Sequence, residues 1–400
     1  MSDLTSVQGL SPTELLSRLI EIPSPNPDGN TVQIARFIGR YLEEVGAAVE
    51  YHAPPSKPEA VSVIARIGDA ERGPTVLYHA HIDTVPIGDD EAKQWQTPPY
   101  TATTKGGRLY GKGSVDDKAP LAAMLSAFSA QARAGECQGL LVMVAAAEEE
   151  TGGQLGTRWL SDSGLVPEAD FIVVGEQTDN QVGVANKGVM RATIEVRGVS
   201  VHATNPDRGV NAIYPMARIV GALEQYHQDL CRRPDPLLGH PTCNVGTIHG
   251  GVTANAVPDR CTVQIDRRMV PGEVPQAVKD EISAVVSAVA GTHAVTVDRF
   301  VYSSPYATGL HSDLSRQFGR AVSGVTGQPP RQVGYLPGSD AKHLVRICRG
   351  EMVIFGPGSY EVAHAPNEYV DLSEFGICTE VLTRFARQAL AGPAPQDTHV

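Results

Sequence analysis

Several short segments of this 400-residue chain place imidazoles or carboxylates where an apolar run ends. TVLYH (75–79) leads into His81 and Asp83, LLVMVAAA (140–147) into Glu148, Glu149 and Glu150, and FIVVG (171–175) into Glu176. Asp116 and Asp117 stand just before an Ala- and Leu-rich stretch, and MVIF (352–355) leads through a Gly/Pro loop to His364. Short apolar runs between turn signals are expected to be buried strands, and open α/β sheets gather functional residues beyond the carboxyl ends of their strands. On one rim these carboxylates would repel one another unless a cation sat among them. Basic residues are scarce in these loops, Lys112 and Lys118 being the main ones. A divalent metal is the economical answer. Imidazole and carboxylate donors without thiolate favour zinc, with cobalt or manganese as alternatives. His81 and Asp83 share a strand face, so Asp83 is placed to orient the ring of a metal-bound His81.

Each segment alone has a plainer reading as a loop, a solvated acidic run or a structural histidine; joint occurrence at successive strand ends gives them weight. His79 is the strongest additional ligand candidate, whereas His227, His240, His249, His293, His311, His343 and His399 are expected to be structural or at the surface. Cys137, Cys231, Cys243, Cys261, Cys348 and Cys378 form no CxxC. They are expected to be reduced, buried thiols, neither a disulfide framework nor a thiolate metal site. Gly106–Lys112 (GGRLYGK) satisfies the GxxxxGK of a phosphate-binding loop. Gly113 then stands where a Ser or Thr must hold magnesium, and the preceding PPYTATTK makes a poor buried strand, so nucleotide binding is not expected.

The elements that must carry these residues follow from periodicity. Helices are expected over 12–22, 31–46 and 118–134, and strands over 61–67, 75–79, 140–147 and 171–175, a pattern of near-continuous apolar strands covered by helices. After Lys187 the pattern changes to strand 189–197, helix 209–229, strands 243–249 and 259–268, helix 273–290 and strand 294–301. This βαββαβ order suits a small two-layer α+β domain. Helix 311–326, strand 331–335, helix 340–346, strand 352–355 and helix 373–391 return to the first pattern. The expected organisation is a catalytic α/β/α domain with a mixed central sheet (1–187 and 303–400), interrupted by a ferredoxin-like α+β domain (188–302). The tail GPAPQDTHV is expected to be loose.

Hydrophobic residues make up 42% and charged residues 20%, enough to build sizeable cores. With 45 acidic against 33 basic residues and a formal charge of −12, a general nucleic-acid or anionic-membrane surface is not expected. No run approaches a membrane span, and MSDLTSVQGLSPTELL lacks the basic and apolar regions of a secretory signal, so a cytoplasmic location is expected.

Taken in order from about residue 12 to 390, VLYHAHIDTVP, LYGKGSVDDK, EEETGG, GEQT, HATNPDRGVNAI, GTIHGG with NAVPD, DRRMVPGE, GSDA and HAPNE resemble the landmarks of one family. It is the dinuclear zinc metallohydrolases that include acetylornithine deacetylase, succinyl-diaminopimelate desuccinylase, aminoacylase and glutamate carboxypeptidase. The resemblance implies two zinc ions per subunit, with Asp116 bridging them, Glu150 and His364 completing one and His81 with Glu176 the other. It implies Glu149 as the general base, in the register that aligns Thr-Gly-Gly, with Asp83 orienting His81. It further implies that His202 reaches the partner's active site in a homodimer and that Asn255, Arg268 and Gly338 contact substrate. The implied reaction is hydrolysis of an N-acyl amino acid by a zinc-activated water, or of a short peptide by a dipeptidase or carboxypeptidase with the same metals. A non-catalytic binding scaffold is a further alternative, against which stands the complete set of ligands and base. Ala119, Gln177 and His79 depart from the family pattern, replacing a glycine, a proline and a small or amide residue.

Overall fold

The computed structural model describes residue 7 and residues 9–391; the tail GPAPQDTHV and most of the first eight residues lie outside the described residues. The chain divides into two compact units, Met1–Val184 with Thr308–Val400, and Ala185–Ala307.

The first unit opens with helices α1 (Pro12–Ile20) and α2 (Val32–Glu43). Ser11 starts α1 with a reciprocal capping box: its hydroxyl takes the Glu14 N–H, while Glu14 returns to the Ser11 N–H. Strands β1 (Ala48–His52), β2 (Ser62–Gly68) and β3 (Thr75–His81) follow, then the short helix α3 (Asp89–Ala92) and strands β4 (Thr103–Lys105) and β5 (Arg108–Tyr110). Helix α4 (Lys118–Ala134), strand β6 (Leu140–Ala146), helix α5 (Thr157–Asp162) and strands β7 (Ala169–Val174) and β8 (Val182–Asn186) complete this half.

The second unit is built from β9 (Gly188–Arg197), α6 (Ile213–Leu230), β10 (Thr242–Gly250), β11 (Arg260–Met269), α7 (Pro275–Ala290) and β12 (Ala294–Ser303). Its sheet runs β10-β11-β9-β12, with every pair antiparallel. One face carries Met190, Ala192, Ile194, Val263 and Ile265, which pack on Met216, Ile219 and Leu223 of α6 and Ile282 and Val286 of α7. Alternating burial along β9 and β11 reflects this one-sided cover. Arg267, fully buried in β11, is satisfied by the Tyr226 hydroxyl at 3.2 Å and by Glu273.

After β13 (Tyr306–Ala307) come α8 (Asp313–Thr326), β14 (Gln332–Tyr335), α9 (Ala341–Leu344), β15 (Cys348–Ile354), β16 (Tyr369–Asp371) and α10 (Leu372–Ala389). The large mixed sheet has the order β1-β2-β6-β3-β7-β15-β8-β13, with β14 beside β8. Its centre, β6-β3-β7-β15, is parallel, whereas β1-β2, β2-β6 and β15-β8 are antiparallel. Every residue of β3 is buried, the mark of a strand covered on both faces. Helix α4 lies on β3 and β6 and packs against α1 and α10, and α8 lies on β15.

The architecture is the expected α/β layer with a large mixed sheet, but some elements carried no legible signal. Edge strand β1 (AVEYH) is largely exposed and lacks an apolar pattern. Strands β4 and β5 form a hairpin that β16 extends. Its turn is Gly106-Gly107, with φ 60° and 79°, backbone that a two-residue hairpin turn of the primed type demands. The GxxxxGK stretch is thus a hairpin and not a strand–loop–helix cradle, and Lys112 is buried 3.6 Å from Glu368. The helix expected over 340–346 is confined to Ala341–Leu344.

At the heart of the first unit Phe318 meets Phe355 and Phe385 with ring centroids 4.9 and 5.0 Å away, all fully buried. Phe318→Ala is expected to destabilise this unit by about 3–5 kcal/mol, read as a lower midpoint in urea unfolding followed by circular dichroism.

Candidate metal centre

The parallel centre of the sheet explains why distant residues meet. His81 is the last residue of β3 and pairs in register with Ala146 of β6, so Glu149 and Glu150, three and four residues further on, leave the sheet at the same edge. Val174 of β7 pairs with His79 and with Ile354 of β15, which brings Glu176 to that edge and starts the loop to His364 from it. The chain leaves β3 for β6 on one side and later returns as β7 on the other, which makes this rim a topological switch point.

Asp116 stands between two imidazoles: its Oδ1 is 3.0 Å from His81 Nε2, and its Oδ2 is 3.1 Å from His364 Nε2. His364 Nε2 also lies 3.2 Å from Glu150 Oε1. Donor atoms of His81, Asp116 and Glu150 fall within 4.8 Å of one another, as do those of His81, Asp117 and Glu176. The second grouping brings in Asp117, for which the residue types gave no separate role. Glu149 lies in the same turn and accepts from Lys342 Nζ at 3.0 Å.

Buried carboxylates outnumber cations here, and their proton affinities show the strain. Burial pushes the Glu149 carboxyl up to about 7, with Lys342 opposing. Burial, then the neighbouring Asp117, raises Glu176 well above the carboxylate range. Burial raises Asp117 as well, and its Oδ1 has no hydrogen-bond partner. Burial alone would raise Asp116, but the His364 and His81 imidazoles hold it below the ordinary range. A donor set of imidazoles and excess carboxylates with an orphaned oxygen fits divalent cations.

The supporting contacts differ in part from expectation. The His81 ring is held through Nδ1 by the main-chain carbonyl of Asp83 at 3.0 Å, while the Asp83 carboxylate is 3.5 Å away. That carboxylate is taken instead by the N–H groups of Glu149 and Glu150, at 3.1 Å each, and by Asn26 Nδ2 at 2.5 Å. Asp83 therefore fixes the turn carrying Glu149 and Glu150 as well as His81. His79, the spare ligand candidate, is spent elsewhere: its Nε2 is 2.7 Å from Thr157 Oγ1 and 3.4 Å from Asp340 Oδ2. Burial lowers its pKa to about 4. Glu148 pairs with Lys57, which accounts for the third acid of the triplet. Gly153 of the Thr-Gly-Gly that follows has φ 70°, and a Cβ there would run into the Asp340 carboxylate and the His343 ring.

Other contributors were missed. Glu368, within HAPNE, accepts the N–H groups of Gly113, Val115 and Asp116 at 3.0–3.1 Å and so anchors the loop presenting Asp116. Asn367 beside it holds the His364 loop by accepting from Gln96 N at 2.7 Å and donating to Gln94 O at 3.0 Å. The Tyr335 hydroxyl lies 3.0 Å from Glu176 Oε2 and 2.5 Å from Gln177 Oε1, which gives the departure at Gln177 a local role. Gly338 is exposed, with open space where a Cβ would stand.

Within the second unit, His202 and Asn255 are neighbours. His202 bridges Ala256, Ala203 N–H donates to the Asn255 carbonyl at 3.0 Å, and the His202 ring meets Thr204 Oγ1 at 2.9 Å. Arg268 is half-exposed at the end of β11 and pairs with Asp266 at 2.7 Å.

The profile of peptidase family M20/M25/M40 matches residues 77–388. The chain is 30% identical over 373 residues to an acetylornithine deacetylase of Pectobacterium atrosepticum, covering 90% of this chain and 92% of the relative. It is 28% identical over 382 residues to the acetylornithine deacetylase of Photorhabdus laumondii, covering 93% and 95%. The fold is similar to an M20 metallo-carboxypeptidase of Sulfolobus solfataricus (TM-score 0.74, 20% identity, 94% of this chain and 99% of that one). It is also similar to a dinuclear metal-binding M20 peptidase of Bacillus subtilis (TM-score 0.68, 19% identity, 95% and 97%). The chain belongs to the M20/M25/M40 peptidase family and is a metal-dependent hydrolase of amide bonds. Among the described residues, no helix is long and apolar enough to cross a membrane.

Because Asn26 holds Asp83, Asn26→Ala is expected to weaken divalent-metal retention by about tenfold, measured by competition with a chromogenic chelator.

Proposed function

We propose that this chain hydrolyses the amide bond of an N-acyl amino acid, as a deacetylase or desuccinylase does, with two zinc ions and Glu149 as general base. The observation that carries this reading is the Asp116 carboxylate offering one oxygen to His81 and the other to His364, with Glu150 on one side and Glu149 in the same turn. In this reading Asp116 would be shared by the two ions, Glu150 and His364 would help hold one, and His81 and Glu176 the other. Bound there, the two cations would polarise the amide carbonyl and lower the pKa of an attacking water.

The chain's own residues supply the rest. Glu149, with a proton affinity raised by burial, takes the proton of the attacking water and delivers it to the departing nitrogen. Lys342, 3.0 Å away, keeps that carboxylate in place. Asp83 and Glu368 hold the turns that carry Glu149, Glu150 and Asp116. Arg268 and Asn255 would receive the substrate carboxylate, since a guanidinium forms paired, charge-assisted hydrogen bonds with such a group; Gly338 is the further substrate contact of this reading. His202 would stabilise developing negative charge on the carbonyl oxygen, reaching the partner subunit of a homodimer.

The deacylase reading is preferred to a dipeptidase or carboxypeptidase because the named sequence relatives, which span nine-tenths of the chain, are acetylornithine deacetylases, whereas the peptidase neighbours at 20% identity speak to the fold. Amine release from acetyl-, succinyl- and formyl-amino acids, set against dipeptides, tests this. Faster turnover of dipeptides than of every acyl amino acid would reverse the preference.

Glu149→Gln is expected to lower kcat by about 10²–10⁴-fold with zinc content unchanged by elemental analysis; undiminished turnover would move the base to another residue. His202→Ala is expected to be inactive yet folded. Mixing it with Glu149→Gln should restore part of the activity in mixed dimers, and proven mixed dimers without activity would refute catalysis across subunits.

A further inference from the structure

The second unit carries a cluster that the amide-hydrolysing site leaves unused. Helix α6 ends at Leu230, but Cys231 keeps helical backbone, its N–H donating to the His227 carbonyl at 3.2 Å. His227 and Cys231 are thus one helical turn apart on the same face. The chain then turns back. Asp235 and Gly239 exchange both main-chain hydrogen bonds, at 2.9 and 3.0 Å, and Asp235 Oδ1 accepts the N–H groups of Leu237 and Leu238. Leu238 is buried against Ala185 and Val270, and Lys187 Nζ donates to the His240 carbonyl at 2.7 Å. This braced turn returns His240 to the end of α6, with its ring centroid 6.1 Å from that of His227.

We propose that His227, Cys231 and His240 form a third metal site, separate from the carboxylate-rich centre, that takes a zinc-class divalent ion through two imidazoles and a thiolate. Their donor atoms all lie within 4.8 Å of one another. Ligands bonded to one tetrahedral zinc at about 2.0–2.3 Å stand roughly 3.5 Å apart, so closure asks for side-chain rotation of about an ångström. Cys231, being exposed, is free to make that movement. The last carbonyls of α6 give the place a negative partial charge that favours a cation. The nearby carboxylates do not compete: Asp229 pairs with Arg232 and Asp235 caps its own turn. The Cys243 N–H donates to His227 Nδ1 at 3.3 Å and orients the ring, and capture of the ion releases the thiol proton to solvent. A solvent molecule fills the fourth position, and the ion staples the end of α6 to the 235–240 turn.

Cobalt(II) distinguishes this site from the other, because only a thiolate ligand gives the near-ultraviolet sulfur-to-cobalt charge-transfer band and the proposed catalytic ligands are all nitrogen and oxygen. With Co(II) in excess over both centres, one bound ion per chain should depend on Cys231, and titration of the full-length protein should raise this band to saturation. Cys231→Ser should abolish it, and His240→Ala, on the turn, should weaken Co(II) affinity at least tenfold. Both variants should keep the hydrolytic activity of the unaltered protein. Zinc should also slow amide hydrogen exchange over 227–240 in the unaltered protein but not in Cys231→Ser. No charge-transfer band in the unaltered protein, or one that survives Cys231→Ser, would overturn the proposal. A chain without amide hydrolase activity would still show the band, so the two readings fail separately.

Discussion

Negative charge crowded at the end of a parallel sheet is the constraint on which the rest of the structure depends. Asp116, Asp117, Glu149, Glu150 and Glu176 meet His81 and His364 in a place mostly shielded from solvent. Burial penalises each ionised carboxylate, and the neighbours add mutual repulsion. Such a cluster is stable only when protonated or when divalent cations neutralise it. Asp116 lies between two imidazoles, offering one oxygen to each.

Much of the surrounding structure serves to keep that crowded geometry in register. The Asp83 carboxylate accepts two successive N–H groups of the acidic turn, and Glu368 accepts three from the loop before α4. An ionised acceptor makes such bonds roughly twice as strong as neutral ones; burial pushes the Glu368 carboxyl up to about 7, with Lys112 opposing. They hold backbone rather than side chains, so the acidic groups of one loop are fixed relative to those of another. His79, Thr157 and Asp340 form a further buried network next to His81, linking β3 to the segment that bears Lys342.

The second unit obeys a different economy. A one-sided sheet leaves its other face and several loops in solvent, and its polar residues lie at edges and helix ends. His202 and Asn255 sit side by side there because two loops pair through the His202–Ala256 bridge. His227, Cys231 and His240 meet because a short turn doubles back on the helix that precedes it.

The layers, and the meeting of His81, Asp116, Glu150, Glu176 and His364 at one rim, were legible in the order of residues. Apolar runs of five to eight residues marked the buried strands, and polar residues directly after them marked the rim. The βαββαβ order showed in the change from continuous to alternating hydrophobicity, and helix α4 fell on the residues expected. What stayed hidden had no local signature. Edge strand β1 buries too little to look apolar. Lys57, Asn26, Tyr335, Lys342 and Glu368 are ordinary polar residues until partners as many as 255 positions away meet them, as Glu368 meets Gly113. Cys231 looked like another buried thiol but is exposed beside two histidines. Periodicity reports which side of an element is buried, because burial repeats along the chain. Which polar group satisfies which depends on distances across the fold, and only the tertiary structure sets those.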